Sequence, residues 1–125
     1  MVAAAAPDAT ARRRILVVDD DPRCRSAVAR LLAEEGYEAM AAADGEEASG
    51  LLASWAPDLV VTDLDMPRLD GRALLRRVRH LRPGTPVLVL SACSDADVGA
   101  PTDGFFAKPL QIESLLARIR DLVGV

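Results

Sequence analysis

The chain of 125 residues has two cysteines, a single lysine and no long apolar run. Cys24 and Cys93 lack the spacing of metal ligands and are too few for a disulfide framework, so a reduced, cytoplasmic setting is the default expectation. No apolar run approaches the roughly 20 residues that a transmembrane helix needs, which excludes a membrane span. The alanine-rich start lacks the long apolar region of a signal peptide, so none is expected.

Basic residues are outnumbered by acidic ones, 15 to 19, and the net charge is −4. This acidic balance argues against nucleic acid as a direct partner, and no membrane contact is expected. The length fits one domain with a single core. Residues 1–14 have no periodic apolar face and predict a flexible N-terminal tail, which leaves residues 15–125 as the folded domain.

Short β-branched runs alternate with apolar residues at helical spacing along the whole domain. Strands are predicted over residues 15–18, 37–43, 59–62, 87–90 and 105–107. Helices are predicted to begin at Pro22, Gly45 and Gly71, and a final one to bury residues between 112 and 122. This alternation predicts an α/β fold, a doubly wound five-stranded parallel sheet of order 2-1-3-4-5 with helices on both faces, as in flavodoxin-like sheets.

The segment over residues 93–104 is crowded with aspartate, glycine and proline. Pro101 also disfavours helical geometry at Ala100. At most one or two helical turns are expected, near residues 94–99, so the fourth helix of the fold is predicted to be shortened.

The third helix is predicted to have two unlike sides. Its apolar side is expected to bury Leu74, Leu75, Val78 and Leu81. Its other side carries the basic residues Arg72, Arg76, Arg77, Arg79 and His80. That side is most simply a solvated face, although it could also receive an acidic partner.

Polar residues stand where four of the strands end: Asp19 with Asp20, Asp63, Ser91 and Lys108. Taken alone, Asp63 is more simply a helix cap or turn former than a reactive group. In the predicted topology, however, all four ends open onto one crevice. Carboxylates about 5 Å apart repel by roughly 3 kcal/mol per pair at an effective dielectric near 20. A divalent cation with oxygen ligands offsets this repulsion, and Mg²⁺ is favoured because it keeps positions open for water and phosphate oxygens.

Lys108 is the chain's only lysine, against fourteen arginines. Lysine provides a compact point charge, whereas arginine presents a planar fork. A lysine at this strand end is therefore expected to place its charge beside the carboxylates of the crevice. The less favoured alternative is a chance lysine on a surface loop.

The motifs LVVDD, VVTDLDMPRLDG, VLVLSA and FFAKP together resemble the receiver domain of bacterial two-component response regulators, over residues 15–123. The resemblance implies that Asp63 accepts a phosphoryl group from a phosphohistidine on a sensor histidine kinase or phosphotransfer protein. It implies that Asp20, Asp63 and the backbone carbonyl of Asp65 bind Mg²⁺, with Asp19 assisting through water.

The resemblance also implies roles for the other strand ends. Ser91 would hydrogen-bond one phosphoryl oxygen and Lys108 would pair with another, while the small Ala92 leaves room for the group. Ser91 and Phe105 would form the switch that follows phosphorylation. The domain would be a signalling module, with only self-phosphorylation and self-dephosphorylation chemistry. With its fourth helix shortened, it is expected to remain a monomer or to pair weakly through another face, such as that of the first helix.

Two other functions fit parts of the sequence. Asp63-Leu64-Asp65 after an apolar strand is also found in phosphatases of the haloacid dehalogenase type, but Pro67 stands where that family has Thr or Val. A pseudo-receiver that only binds partners is the second, and it usually lacks part of the acidic pair or the lysine, all of which this chain retains.

Overall fold

The structure is a computed structural model that describes residues 12–66, 69–92 and 101–124. Five strands and four helices lie within these residues. The strands are β1 (Arg14–Val18), β2 (Glu38–Ala42), β3 (Leu59–Asp63), β4 (Val87–Ser91) and β5 (Gly104–Ala107). The helices are α1 (Pro22–Glu34), α2 (Gly45–Ser54), α3 (Gly71–Leu81) and α4 (Ile112–Val123).

The strands form one parallel sheet in the order β2-β1-β3-β4-β5, which confirms the predicted topology. β1, β3 and β4 lie in the interior and are buried over their apolar residues, because helices cover both faces of the sheet. β2 and β5 lie at the edges and are only partly buried. The carboxyl ends of β1 and β3 are therefore neighbours at the point where the strand order reverses.

Two apolar layers flank the sheet because successive strand residues point to opposite faces. Leu16 and Val60 face a layer formed by α2 and α3, whereas Ile15 and Leu59 face a layer formed by α1 and α4. The buried side chains of α3 include Leu74, Leu75 and Val78, as their spacing predicts.

Three helices begin at an aspartate whose carboxylate accepts a hydrogen bond from a backbone N–H of the first turn. The bonds are 2.9 to 3.0 Å long, and each cap contributes about 1 kcal/mol. The capping residues are Asp21, Asp44 and Asp70. Pro22 occupies the first position of α1, where its missing N–H costs no hydrogen bond.

The structure differs from the sequence predictions at two side chains. Arg14, expected in the tail, is the first residue of β1, and its guanidinium donates a 2.7 Å hydrogen bond to the carbonyl of Trp55 and lies over the indole ring. Leu81, expected in the core, is 55% exposed. Leu81 is the last residue of α3, and the chain leaves the helix at Arg82, so the layer covers Val78 in the final turn but not Leu81.

Some predictions fall outside the described residues. They are the tail over residues 1–11, Pro67, and the helical turns expected near residues 94–99. Residues 101–103, which are described, form no helix. No helix in the described ranges is both long and apolar enough to cross a bilayer.

Candidate functional site

Asp63 is the last residue of the central strand β3 and is 7% exposed. Its Oδ1 accepts a 3.0 Å hydrogen bond from the backbone N–H of Leu64. The N–H of Gly71 donates to the carbonyl of Leu64 over 2.8 Å, which draws the start of α3 against this loop. A Cβ at Gly71 would collide with the carbonyl of Asp63, so this close approach requires glycine. The local backbone thus holds the Asp63 carboxylate at the carboxyl end of the central strand.

Asp19 and Asp20 follow β1, beside Asp63. Asp19 is 1% exposed and its Oδ1 accepts a 2.9 Å hydrogen bond from the backbone N–H of Asp21. The Asp19 N–H donates to the carbonyl of Ala42 on the neighbouring strand over 3.2 Å. Asp20 is exposed. One member of the pair is therefore fixed inside the crevice and the other is accessible to solvent.

Lys108 follows β5 and crosses the crevice toward both buried carboxylates. Its Nζ lies 3.1 Å from Asp19 Oδ2 and 3.5 Å from Asp63 Oδ1. Its backbone N–H donates to the carbonyl of Ser91 over 2.8 Å, which ties the end of β5 to the end of β4. The Lys108-Pro109 peptide bond is cis. The sequence prediction that the only lysine serves the acidic crevice agrees with this geometry.

The pKa values of Asp63 and Lys108 are both shifted in the site. Burial raises the pKa of Asp63 to about 6, with Lys108 lowering it and the charge of Asp19 adding to the rise. Burial alone would lower the pKa of Lys108, but its hydrogen bond to Asp19 and the two carboxylate charges raise it above the ordinary value. Asp63 therefore remains ionised at neutral pH, yet its charge is incompletely offset.

The carboxylates of Asp19, Asp20 and Asp63 each offer an oxygen, and these oxygens lie within 4.8 Å of one another. Three hard oxygen donors, one of them open to solvent, match the ligands that Mg²⁺ takes in proteins. The residues therefore fit a divalent cation. Asp65 is exposed, and its Oδ1 lies 3.7 Å from Arg72 Nη1.

The remaining predicted site residues surround this cluster. Ser91 is fully buried at the end of β4, next to Asp63 in the sheet. Ala92 follows it and is exposed. Phe105 is half-buried on the edge strand, where it pairs in register with Val89 and packs against the layer of α2 and α3.

Two neighbours of the site were missed at the sequence level. Arg25 donates a 2.8 Å hydrogen bond from Nη1 to the carbonyl of Asp19. Its place four residues after the Asp21 cap, in the first turns of α1, was the available signal. Cys24 adjoins Asp19, and burial together with a hydrogen bond to that residue raises the pKa of the thiol to about 11. The thiol therefore stays protonated at neutral pH and is not a nucleophile.

Residues 15–120 match the model of the response regulator receiver domain family. The response regulator MprA of Mycolicibacterium vanbaalenii is 44% identical over 115 residues, which cover 88% of this chain and 50% of that protein. MprA of Mycobacterium avium is 43% identical over the same lengths. The chain thus spans about half the length of the curated relatives it matches.

Solved structures with the same fold include chemotaxis protein CheY4 of Vibrio cholerae, with a TM-score of 0.80 and 31% identity over 90% of this chain and 100% of that one. Response regulator TrrA of Thermotoga maritima, solved in complex with Mg²⁺ and BeF, has a TM-score of 0.82 and 32% identity. That match covers 89% of this chain and 99% of TrrA.

Proposed function

The chain belongs to the response regulator receiver domain family of two-component systems, and we propose that Asp63 is its phosphoacceptor. The observation that carries the proposal is the position of the Asp63 carboxylate. It is buried at the end of the central strand, 3.5 Å from the lysine and within one cluster of carboxylate oxygens. Asp19 shares the burial, the contact with the lysine and the cluster, but among the described residues Asp63 alone combines them with a place at the end of the central strand.

A carboxylate is a weak nucleophile, so phosphoryl transfer to it depends on alignment and on neutralising charge. In the proposed step an oxygen of Asp63 forms a bond to phosphorus while the P–N bond of a donor phosphohistidine breaks. The electron pair of that bond stays on the donor imidazole. With a pKa of about 6, Asp63 is mainly ionised at pH 7 and available for attack.

The other residues are assigned by where the phosphoryl group would lie. Lys108, between Asp19 and Asp63, would pair with one phosphoryl oxygen, and Ser91 would hydrogen-bond another. Asp20 and Asp63 with the backbone carbonyl of Asp65 would hold Mg²⁺, and Asp19 would assist through water. The cation would supply charge neutralisation on the phosphoryl oxygens.

Phe105 is the proposed sensor of the modified state. It lies on the edge strand three residues before Lys108 and is half-buried. A movement of Lys108 and Ser91 toward a phosphoryl group would pull on the β4–β5 edge, because Lys108 N–H is bonded to the Ser91 carbonyl. We expect Phe105, which is only partly buried, to respond to that pull by changing rotamer.

A protein donor must cover the mouth of the crevice to deliver its phosphoryl group. An apolar groove of about 350 Å³ adjoins Lys108 between α1 and the start of α4. It is lined by Cys24, Ala27, Val28, Leu31, Pro109, Leu110 and Ile112. We assign the sensor histidine kinase or phosphotransfer protein to this groove, since an apolar surface beside a polar reaction centre suits a transient protein partner. That the exchange takes place in the cytoplasm, and that the domain acts on no external substrate, remain predictions.

The test is incubation with Mg²⁺ and acetyl phosphate, followed by intact mass measurement and mapping of the modified residue. One phosphoryl group per chain is expected, on Asp63, and it should be released by hydroxylamine as an acyl phosphate. Asp63→Asn should gain no phosphoryl mass. The matched variant Asp121→Asn removes an exposed carboxylate far from the crevice and should be labelled as wild type is. Equal labelling of Asp63→Asn would remove the assignment, and repeated turnover of p-nitrophenyl phosphate would favour a phosphatase.

A further inference from the structure

Helix α3 concentrates positive charge in an otherwise acidic domain. It carries four arginines and no acidic residue, for a charge of +4, whereas the whole chain has −4, so the rest of the chain carries −8. Two of the four arginines are held by acidic residues: Arg72 has carboxylate oxygens at 3.7 Å and Arg79 has one at 2.9 Å. Arg76 and Arg77 are exposed and form no ion pair with the residues that the structure describes.

Arg76 and Arg77 border a depression that is lined by both apolar and basic residues. A cavity of about 550 Å³ lies along α3 and is lined by Leu69, Ala73, Arg76, Arg77, His80 and Leu81. Leu81 is 55% exposed and is the one large apolar side chain of the described residues with such exposure. Ala73, Arg77 and Leu81 are spaced by four on α3, so they share one face of the helix and Arg77 lies between two apolar residues. This surface therefore combines an exposed leucine with two exposed arginines, and arginine is enriched at protein interfaces.

We propose that this surface, termed the α3 surface and formed by the six lining residues, docks an acidic amphipathic helix of a partner protein. Apolar side chains of such a helix would occupy the depression between Leu69 and Leu81. Its carboxylates, spaced by about one turn, would pair with Arg76 and Arg77, whose planar forks suit bidentate contacts. Charge complementarity and the apolar lining both select this occupant.

Other occupants fit the α3 surface less well. Nucleic acid presents a dense row of phosphates, and the −8 carried by the rest of the chain would repel it. Phosphates would also make no use of the apolar lining. A second copy of the chain would have to bring an apolar ridge flanked by carboxylates, and the only large apolar side chain exposed in the described residues is Leu81 itself.

The inference does not depend on the chemistry of Asp63. A titration of the isotope-labelled domain with a helix-stabilised peptide, carrying leucines on one face and glutamates beside them, tests it directly by NMR. Amide resonances of the α3 surface should shift with peptide concentration, and those of the Asp19-Asp20 loop should not. The phosphorylation-deficient Asp63→Asn protein should bind the peptide equally well.

Charge reversal at Arg76 and Arg77 supplies the decisive comparison. The double variant R76E/R77E should bind the peptide about ten-fold more weakly, the combined effect of two exposed ion pairs replaced by repulsion. Arg30→Glu is the matched control, because Arg30 is an exposed arginine on α1 without an ion pair in the described part of the chain. The affinity of this variant for the peptide should equal that of wild type. A peptide with lysines in place of the glutamates should prefer the double variant to wild type.

Four results would overturn the proposal. They are the absence of shifts at any peptide concentration, shifts outside the α3 surface, equal affinity of the double variant, and tighter binding of a mixed-sequence DNA duplex to the same residues. Sedimentation of the domain alone is the remaining check. A dimer that R76E/R77E dissociates would replace the acidic partner with a second copy of the chain.

Discussion

One cluster of ion pairs lies at the carboxyl ends of β4 and β5, and another lies at their amino ends. The pKa of the aspartate is shifted in opposite directions in the two clusters. At the carboxyl end, Lys108 is shared between Asp19 and Asp63, and burial raises the pKa of Asp63 to about 6. At the amino end, Asp103 accepts 2.9 and 2.8 Å hydrogen bonds from Arg79 Nη2 and the backbone N–H of Val87.

The pKa of Asp103 moves the other way. Burial alone would raise it, but the hydrogen bonds from Arg79 and Val87 and the nearby arginine charges lower it. Arg79 also donates to the carbonyl of Thr85 over 3.1 Å, so its fork joins α3 to the turn before β4. Asp103 is therefore a satisfied structural carboxylate, whereas the charge of Asp63 in the crevice is offset only in part by Lys108.

Replacing Lys108 by arginine and Arg79 by lysine is expected to show the largest difference between the two clusters. Lys108→Arg should fold but lose about a hundred-fold in phosphorylation rate, because the wider guanidinium cannot sit between Asp19 and Asp63 and reach one phosphoryl oxygen. Arg79→Lys should be phosphorylated as wild type is, and should lose stability because lysine cannot make several directed contacts. Acetyl phosphate labelling and urea unfolding of both variants measure this. An unchanged rate and an unchanged beryllofluoride response of the Phe105 and Ser91 resonances in Lys108→Arg would make Lys108 incidental.

Asp63→Asn should raise the free energy of unfolding by about 2 to 3 kcal/mol at pH 7.5 in metal-free buffer. The folded protein binds the Asp63 proton more tightly than the unfolded chain, since the pKa rises from 3.8 to about 6 on folding. Wild-type stability therefore falls as the pH rises from about 4 to 6, and the cost is fully present above that range. Urea unfolding at pH 4 and pH 7.5 tests this, and a variant with no gain at the higher pH would show that the charge is already compensated.

Asp103→Asn should lower the free energy of unfolding by about 2 kcal/mol at pH 7, because two hydrogen bonds to a charged acceptor are weakened. This effect is opposite in sign to that of Asp63→Asn. The pKa of Asp103 is lowered by folding, so its contribution is present above the unfolded value of 3.8 and is lost as the pH falls through the folded value. The difference from wild type should shrink in acid. Phosphorylation by acetyl phosphate should be retained, and its loss would show that the two clusters are coupled through β5.

The smallest expected effect is the difference in Mg²⁺ binding between variants of the two aspartates after β1. Asp20→Ala should weaken Mg²⁺ binding about ten-fold, because an accessible direct ligand is lost. Asp19→Ala should weaken it less, since Asp19 is already engaged by Lys108 and the N–H of Asp21. Isothermal titration of both variants gives the order, and the reverse order would exchange the roles of the pair.

The sequence by itself determined the sheet and the composition of the crevice. Apolar β-branched runs that stop at Asp19, Asp63, Ser91 and Lys108 encode both the strands and their polar ends, because burial and termination are local properties of a strand. The interior position of β1, β3 and β4 was likewise readable from their apolar runs. The family resemblance supplied the roles within the crevice, which composition alone leaves open.

Tertiary structure alone decided which distant side chains meet. Arg79 and Asp103 are 24 positions apart, and nothing in either neighbourhood selects the other. The sharing of Lys108 between two carboxylates, the hydrogen bond from Arg25 to Asp19, and the exposure of Leu81 have the same origin. Helical periodicity predicts which way a side chain faces, but not where the covering layer ends. Those contacts depend on how the crossover helices pack against the twisted sheet, and that packing is determined by the whole core.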